Sequence, residues 1–200
     1  PGLPAPHRQT LRDCLTRVLN RSAFMQRLTE LASQTPALTG IWCVAIADLD
    51  RLSEFNRHHG ARLGDALLFR VAEKIQRTCE TYPGAAVARV GGEEFGILFP
   101  HASLREARRM AEEARLAVAG AAWEFLREGA PTRVRATVSL GVAEYRRGES
   151  AEDVIRRALR RLEEAKQAGR NIVVAEGGPG RPTAGRASSS TAPLAAVPGT

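Results

Sequence analysis

The sequence is poor in the features that build disulfide frameworks, zinc sites and membrane spans. Its 200 residues hold three cysteines, Cys14, Cys43 and Cys79, an odd number with no short spacing between them. This usage argues against a disulfide framework or a zinc site and favours a reducing, cytoplasmic compartment. No apolar run approaches the ~20 residues of a membrane-spanning helix. We therefore expect no membrane contact from this segment.

Aromatic residues are also scarce, at 5%, although the chain carries a formal net charge of +7. A nucleic-acid-binding domain is one explanation of this charge. However, the arginines are interleaved with glutamates, as in LREARRMAEEAR and VIRRALRRLEEAK, and no aromatics accompany them. This pattern favours ion-paired helix surfaces over a nucleic-acid footprint. We expect no nucleic-acid partner, while the positive charge suits a small polyphosphate ligand.

Composition divides the chain into three parts. Residues 176–200 are rich in Gly, Pro, Ser, Thr and Ala and poor in large apolar side chains, and residues 1–9 look similar. Both segments are predicted to be flexible or disordered. Residues 10–175 are predicted to form one folded domain. The chain begins with Pro1 and shows no signal-like pattern, and we expect it to be a piece of a longer protein.

Hydrophobic periodicity predicts alternating helices and strands within the domain. Helices are predicted at 11–34, 52–59, 63–79, 103–128 and 150–168, and strands at 41–47, 85–90, 95–99, 134–145 and 172–175. Asn20, Ser103 and Ser150 are candidate helix caps. The hairpin formed by 85–90 and 95–99 is antiparallel, which excludes a purely parallel, doubly wound sheet. The order predicts an α+β fold with helices covering an antiparallel or mixed sheet.

Two pairs of carboxylates stand where predicted strands end or begin. Asp48 and Asp50 close the apolar run GIWCVAIADLD, and Glu93 and Glu94 follow the glycines of RVGGEEF. A buried carboxylate needs a partner, which is either the start of the next helix or a shared divalent cation. The joint occurrence at two strand ends favours the cation. Oxygen ligands without His or Cys indicate Mg²⁺ or Mn²⁺, and such a site is typical of phosphoryl or nucleotidyl transfer.

Several motifs together carry a family resemblance. RVGGEEF resembles the signature of the GGDEF family, the diguanylate cyclases, in its Gly-Gly-Glu-Glu-Phe form. Four further stretches resemble other motifs of that family in the right order: DCLTRVLNR, DLDRLSEFNRHHGARLGD, TVSLGVAEY and AKQAGRN. The resemblance covers residues 11–174. It implies a five-stranded, antiparallel-rich central sheet surrounded by helices, similar to the palm of nucleotidyl cyclases.

The resemblance implies roles for the acidic residues. Asp48 and Glu93 would bind Mg²⁺ through their carboxylates, and the backbone carbonyl of Leu49 would complete the protein's share of ligands. Glu93 would also be the base that takes the proton of the ribose 3′-hydroxyl, and Glu94 would bind a second metal ion. Two metal ions suit in-line attack on an α-phosphate.

The resemblance also implies substrate-binding residues. Asn56 and Asp65 would read guanine, whose N1–H and N2–H₂ edge donates to a carboxylate as adenine cannot. Gly91 and Gly92 would let the backbone of the turn approach the phosphates. Lys166 and Arg170 would bind the phosphates through their positive charges. Without the resemblance, an ordinary position at a helix end explains four polar residues: Asn56, Asp65, Lys166 and Arg170.

Four positions depart from the family pattern. Ser53 replaces a phosphate-side cation, Ala61 replaces a common histidine, Arg17 stands in place of a glycine, and Glu163 stands in place of an aromatic residue. The family's product-inhibition motif, Arg-x-x-Asp, is replaced by YPGA at 82–85, so we expect no feedback site of that type. The acidic centre is intact.

The resemblance implies that the domain condenses two GTP into cyclic di-GMP and two pyrophosphates. Because each site holds one GTP, two domains must face each other as a homodimer. We expect an N-terminal sensor region outside this segment and a cytoplasmic location. Two alternatives stay open: a catalytically degenerate module that binds GTP or a cyclic dinucleotide, and a basic nucleic-acid-binding domain.

Overall fold

A computed structural model describes residues 11–34, 41–127 and 129–179. Its five helices are α1 (Arg21–Gln34), α2 (Leu52–His59), α3 (Ala61–Cys79), α4 (Leu104–Ala119) and α5 (Ala151–Gln167). The longer strands are β2 (Trp42–Leu49), β3 (Ala86–Arg89), β4 (Glu94–Pro100), β5 (Trp123–Arg127), β6 (Ala130–Val134), β7 (Val138–Glu144) and β8 (Val173–Ala175). Two strands of two residues each, β1 (Leu19–Asn20) and β9 (Gly178–Pro179), complete the list.

The central sheet has the strand order β1-β3-β4-β2-β7-β8-β9, and β5 pairs with β6 in a separate hairpin. Four of its neighbouring pairs are antiparallel, and the pairs β1–β3 and β7–β8 are parallel. The predicted α+β fold with an antiparallel-rich sheet is therefore confirmed. The five predicted strands of the sheet are β2, β3, β4, β7 and β8, and the short strands β1 and β9 extend its two edges.

Strand β2 lies at the centre of the sheet and is buried along its whole length. Its side chains alternate between two apolar clusters, as the period of a strand requires. Cys43 and Ala45 face the cluster that contains residues of α3 and α4, whereas Val44 and Ile46 face the cluster that contains residues of α1 and α5. Helices therefore cover both faces, which explains why β2 reads as a continuous apolar run.

Local signals fix several helix ends. Ser103 and Ser150 each form a capping box, with Glu106 and Asp153 respectively. The side chain of Asn20 accepts a hydrogen bond from the backbone N–H of Ala23 at 2.9 Å. These three predicted caps are confirmed, and such caps contribute about 1 kcal/mol each.

Three predicted boundaries are wrong. Helix α1 begins at Arg21, since residues 11–18 form turns that lead into β1. Helix α4 ends at Ala119 instead of extending to residue 128. After Gly120 the residues follow the two-residue period of a strand, with Trp123 buried and Glu124 exposed. The predicted strand 134–145 begins too early, because Val134 is the last residue of β6 and residues 135–137 separate β6 from β7.

Arginines on the helices pair with carboxylates one turn away. The N–O distances lie between 2.7 and 3.1 Å in the pairs Arg70–Glu73, Arg77–Glu73, Arg109–Glu113, Arg115–Glu112, Arg156–Asp153 and Arg161–Glu164. Each such pair stabilises a helix by only about 0.3–0.5 kcal/mol. They agree with the interpretation of the basic stretches as solvated, ion-paired helix surfaces.

The described fold continues to Pro179, because β9 pairs with β8. Glu176, just past the predicted domain end at 175, accepts hydrogen bonds from Arg146 and Arg157. Residues 1–9 and 180–200, where flexible segments are predicted, lie outside the described residues, and the predicted domain division stays a prediction. Within the described ranges, no helix has the length and apolar character that crossing a membrane requires.

Candidate active site

The predicted carboxylates meet at one end of the central strands. Asp48 in β2 is directly opposite Glu94 in β4 and Ser139 in β7. The backbone N–H of Leu49 donates a hydrogen bond of 3.1 Å to the carbonyl oxygen of Glu93. This bond ties the turn between β3 and β4 to the end of β2, so the two acidic segments share one rim of the sheet.

Asp48 is the most deeply buried carboxylate of this rim, with 4% of the residue exposed. Its Oδ2 atom lies 2.8 Å from the Nζ atom of Lys166, near the end of α5. Burial raises the pKa of Asp48 above its ordinary value, and the Lys166 ammonium opposes that rise. The negative charges of Glu94 and Asp50 raise the pKa further. Asp48 is therefore a carboxylate whose negative charge is incompletely compensated.

Glu93 is half-buried beside Asp48. Burial raises the pKa of Glu93, and the charge of Asp48 raises it further, while Lys166 opposes both effects. The charge of Glu94 raises the pKa of both carboxylates, so Asp48, Glu93 and Glu94 share a strongly negative field. A divalent cation is the partner that such a field favours, and two carboxylates with a backbone carbonyl suffice for Mg²⁺, which keeps waters and substrate oxygens as its other ligands. Among the described residues no group of three His, Cys, Asp or Glu side chains forms a metal cluster.

The two glycines of the turn differ in their surroundings. A Cβ atom built on Gly91 would lie 2.2 Å from Oε2 of Glu94, so the Glu94 side chain lies across Gly91. A Cβ atom built on Gly92 would meet no atom within 4 Å. The side of Gly92 on which a Cβ atom would stand is therefore open, which is compatible with the predicted phosphate approach, whereas the same side of Gly91 is covered by Glu94.

The turn is held by side chains for which the family resemblance implied no role. The guanidinium of Arg89 donates to the carbonyl oxygen of Gly92 at 2.6 and 3.1 Å and lies 3.3 Å from Oδ1 of Asp13. The same oxygen of Asp13 accepts hydrogen bonds from the backbone and the hydroxyl of Thr16. Arg21 donates to the carbonyl oxygen of Val90 at 3.4 Å. Asp13 and Arg89 could have been identified from the sequence, because they begin DCLTRVLNR and RVGGEEF, two of the motifs that resemble the family.

The predicted guanine-reading residues lie where α2 and α3 pack together. The Oδ1 atom of Asn56 is buried without a hydrogen-bond partner among the described residues. It is packed against Gly64, where a Cβ atom would lie 1.8 Å from it. Gly64 precedes Asp65, which is exposed, so Asn56 lies next to the segment that carries Asp65. An unpartnered buried amide oxygen beside an exposed carboxylate is compatible with a polar ligand.

The predicted phosphate-binding cations, Lys166 and Arg170, occupy different environments. Lys166 is brought to the acidic rim through its contact with Asp48. Arg170 is exposed on the turn between α5 and β8, where Gly169, Arg170 and Asn171 have φ angles of 113°, 67° and 49°. Two consecutive residues other than glycine in the left-handed region indicate a backbone held by its surroundings.

The departures from the family pattern have visible structural settings. Ser53 and Ala61 are exposed at the starts of α2 and α3, so neither substitution disturbs the core. Arg17 has a φ angle of 65°, a conformation that the family's usual glycine adopts without strain. In the stretch that replaces the product-inhibition motif, the Tyr82 hydroxyl donates to Glu113 and the Arg109 guanidinium lies 5.9 Å from the centroid of the ring.

Comparison with protein families matches residues 10–172 to the family described as "Diguanylate cyclase, GGDEF domain". The chain is 34% identical over 167 residues to diguanylate cyclase VdcA of Vibrio cholerae, covering 84% of this chain and 47% of that protein. It is 32% identical over 163 residues to diguanylate cyclase DgcP of Pseudomonas aeruginosa, covering 82% of this chain and 23% of that protein. The chain thus spans less than half the length of these relatives.

Solved structures agree with the sequence comparisons. The GGDEF domain of DgcB from Caulobacter crescentus, solved in complex with c-di-GMP, is 33% identical with a TM-score of 0.77, covering 84% of this chain and 96% of that chain. Diguanylate cyclase SiaD from Pseudomonas aeruginosa, solved with its activator SiaC, is 30% identical with a TM-score of 0.77, covering 83% of this chain and 62% of that chain. Its fold, its motifs and these relatives place the chain in one family: it belongs to the GGDEF family of diguanylate cyclase domains.

Proposed function

We propose that this domain is an active, Mg²⁺-dependent diguanylate cyclase that condenses two GTP into cyclic di-GMP and two pyrophosphates. The observation that carries the proposal is the pairing of two under-compensated carboxylates, Asp48 and Glu93, beside the Lys166 ammonium at one end of the sheet. A structural role alone does not explain why both carboxylates have raised pKa values and mutual repulsion, because such a pair destabilises the fold.

Asp48, Glu93 and the carbonyl oxygen of Leu49 would hold Mg²⁺, or Mn²⁺ in its place. When bound, the cation would stabilise the charge that develops on the α-phosphate and on the leaving pyrophosphate. Glu94 would bind a second ion after its side chain leaves Gly91. Oxygen-only donors and a site open to substrate phosphates suit these hard cations.

The remaining residues would orient the nucleotide. Asn56 and Asp65 would accept and donate hydrogen bonds at the guanine edge, and the exposed backbone of Gly92 would admit the phosphates. Lys166 would exchange its contact with Asp48 for a phosphate oxygen, and Arg170 would bind the phosphates alongside it. Glu93 would accept the proton from the ribose 3′-hydroxyl as that oxygen attacks the α-phosphate of the second nucleotide.

The stoichiometry of the reaction requires a homodimer. One site binds one GTP, and cyclic di-GMP contains two linked nucleotides, so two domains must present their nucleotides to each other. Feedback through an Arg-x-x-Asp motif is not expected, since YPGA replaces it. DgcB was solved with c-di-GMP and SiaD with an activator; for this chain we propose c-di-GMP as the product and an N-terminal sensor region as the source of regulation.

The proposal is tested by chromatographic detection of c-di-GMP from GTP and Mg²⁺ over a range of protein concentrations. We expect product whose rate rises faster than linearly with protein concentration, and no product in EDTA. GTP binding without product would instead support a catalytically degenerate module, which the missing cation at Ser53 favours as the second candidate. The absence of both binding and product would overturn the proposal.

A further inference from the structure

Asp50 lies two residues from Asp48 but makes a different set of contacts. Its Oδ2 atom accepts hydrogen bonds from the Thr137 hydroxyl at 2.7 Å and from the backbone N–H of Asn171 at 3.1 Å. Its Oδ1 atom accepts one from the Ser139 hydroxyl at 2.7 Å. The backbone N–H of Asp50 donates to the carbonyl oxygen of Thr137 at 2.9 Å. One carboxylate therefore joins three separate segments of the chain.

The segment that Asp50 holds is the strained turn after α5. The N–H of Asn171 is shared between Asp50 and the hydroxyl oxygen of Ser139, at 3.1 and 3.0 Å. The side-chain oxygen of Asn171 accepts a further hydrogen bond of 2.7 Å from Arg115 on α4. Asn171 is thus fixed at its backbone and at its side chain. Since Asn171 and Arg170 both have left-handed φ angles, these bonds offset the strain of an unfavourable backbone.

Arg170 directly precedes the residue that this arrangement holds. It is exposed, its N–H donates to the carbonyl oxygen of Ala165 at 3.1 Å, and the residue that follows it is Asn171. Holding Asn171 fixes the direction in which the chain leaves Arg170. The guanidinium can then reach a phosphate without losing much conformational freedom on binding, which is how a preorganised site gains affinity.

We propose that Asp50 is a positioning residue for the nucleotide phosphates, acting through Asn171 on Arg170, and is not a metal ligand. The part of this inference that concerns nucleotide phosphates rests on the proposed function. The part in which Asp50 holds Asn171 does not depend on that function. Both carboxylate oxygens of Asp50 are occupied by donors of the protein, so it offers little to a cation, in contrast to Asp48.

The first measurement tests the structural step by amide hydrogen exchange. In Asp50→Ala we expect the amide of Asn171 to exchange at least about tenfold faster than in the unmodified chain, since hydrogen bonding governs protection. Asp50→Asn retains an acceptor oxygen and should restore most of the protection. Glu144→Ala is the matched control, because Glu144 accepts a backbone hydrogen bond from Leu104 at the other end of β7. Unchanged exchange in Asp50→Ala would overturn the inference.

The second measurement tests the nucleotide step by calorimetric binding of an α,β-methylene analogue of GTP with Mg²⁺. We expect Asp50→Ala to weaken binding about tenfold, Asp50→Asn by less than about threefold, and Glu144→Ala not at all. In an Arg170→Ala background, Asp50→Ala should have little further effect, as two residues acting through one contact are not additive.

Each outcome of the binding measurement decides a different point. An equal loss from Asp50→Ala with and without Arg170 would overturn the route through Arg170. A full-affinity Asp50→Ala variant would overturn the positioning role altogether. If the unmodified chain binds no analogue, the proposed function fails and the nucleotide role of Asp50 fails with it. The exchange data would still establish whether Asp50 holds the turn.

Discussion

Asp48 and Asp50 stand two residues apart at the end of one strand, yet they face different chemical surroundings. Asp48 is buried with one ammonium partner, Lys166, and other carboxylates close enough to raise its pKa. Asp50 has both oxygens occupied by hydroxyl and amide donors from Thr137, Ser139 and Asn171. The alternation of a strand places both on one face only while the strand continues, and β2 ends at Leu49.

The comparison separates a carboxylate that serves the fold from one available to a ligand. Asp50 uses its acceptor capacity on neighbouring segments and thereby joins them. Asp48 and Glu93 keep acceptor capacity unused and repel each other, which is unfavourable for folding and favourable for cation binding. Their spacing in the sequence does not distinguish the two aspartates, whereas their partners in the structure do.

The largest expected effect is the loss of turnover when Glu93, one of the two carboxylates proposed to bind the cation, is replaced. Glu93→Ala should reduce cyclic di-GMP formation by at least about 10³-fold, because it removes both the proposed metal ligand and the proposed base. Glu152→Ala, an exposed glutamate on α5, is the control and should be fully active. Rates are measured with saturating GTP and Mg²⁺. A Glu93→Ala variant within tenfold of the unmodified domain would contradict the assignment.

Replacing Lys166 should have opposite effects on two ligands. Lys166→Met removes the cation that contacts Asp48, so Mn²⁺ alone should bind more tightly, because it no longer competes with the ammonium. The KM for GTP should rise by about 10- to 100-fold, since a charge-assisted phosphate contact is lost. Arg160→Met, on the exposed face of the same helix, is the control. Electron paramagnetic resonance measures the Mn²⁺ affinity, and steady-state kinetics measures the KM for GTP. If Lys166→Met weakened the binding of both Mn²⁺ and GTP, the proposed role of Lys166 would be contradicted.

The glycine pair of the turn provides a matched comparison within the site. A methyl group on Gly92 meets no protein atom, so Gly92→Ala should leave the melting temperature within about 2 °C of the unmodified domain. It should nevertheless lower kcat/KM for GTP by about tenfold, because the methyl group would occupy the space proposed for the phosphates. Gly91→Ala forces the flexible Glu94 side chain to move instead. Full activity of Gly92→Ala would place the phosphates elsewhere.

The smallest expected effect is on stability. The pKa of Glu93 is raised above its ordinary value of 4.5 by burial and by Asp48. The resulting cost to the folded state is absent below the ordinary pKa, grows as the pH rises towards the raised pKa, and is complete above it. Glu93→Gln should therefore be more stable than the unmodified domain at pH 7.5, by only about a few tenths of a kcal/mol because solvent screens much of the repulsion at this partly exposed side chain, and no more stable at about pH 4. Chemical denaturation in EDTA tests this, and a loss of stability at pH 7.5 would refute it.

Much of the fold was predictable because its signals are local. The capping boxes at Ser103 and Ser150 require only residues three apart, and the apolar run of β2 reflects burial on both faces. The hairpin β5–β6 was missed because a continuous helix also accommodates Trp123 and its neighbours. Each of its strands has only five residues, so the alternating pattern is short. Gly120 is the only turn signal that precedes the hairpin in this part of the sequence.

The residues of the candidate site were easier to predict from the sequence than the contacts between their side chains. The acidic strand ends and the glycine turn identified Asp48 and Glu93, and the structure brings their segments together. No spacing rule predicts that Lys166 contacts Asp48, because the two residues lie 118 positions apart in the chain and the contact depends on how α5 packs across the sheet. The same is true of Asn171 and Asp50, which lie 121 residues apart in the chain.

A crystal structure with Mn²⁺ and an uncleavable GTP analogue is the most direct test of the account. We predict an anomalous scattering peak within about 2.3 Å of carboxylate oxygens from both Asp48 and Glu93, with Lys166 moved to a phosphate and Asp50 still bound to Thr137, Ser139 and Asn171. A metal ion that binds the nucleotide without touching Asp48 or Glu93, or one bound by Asp50, would contradict it.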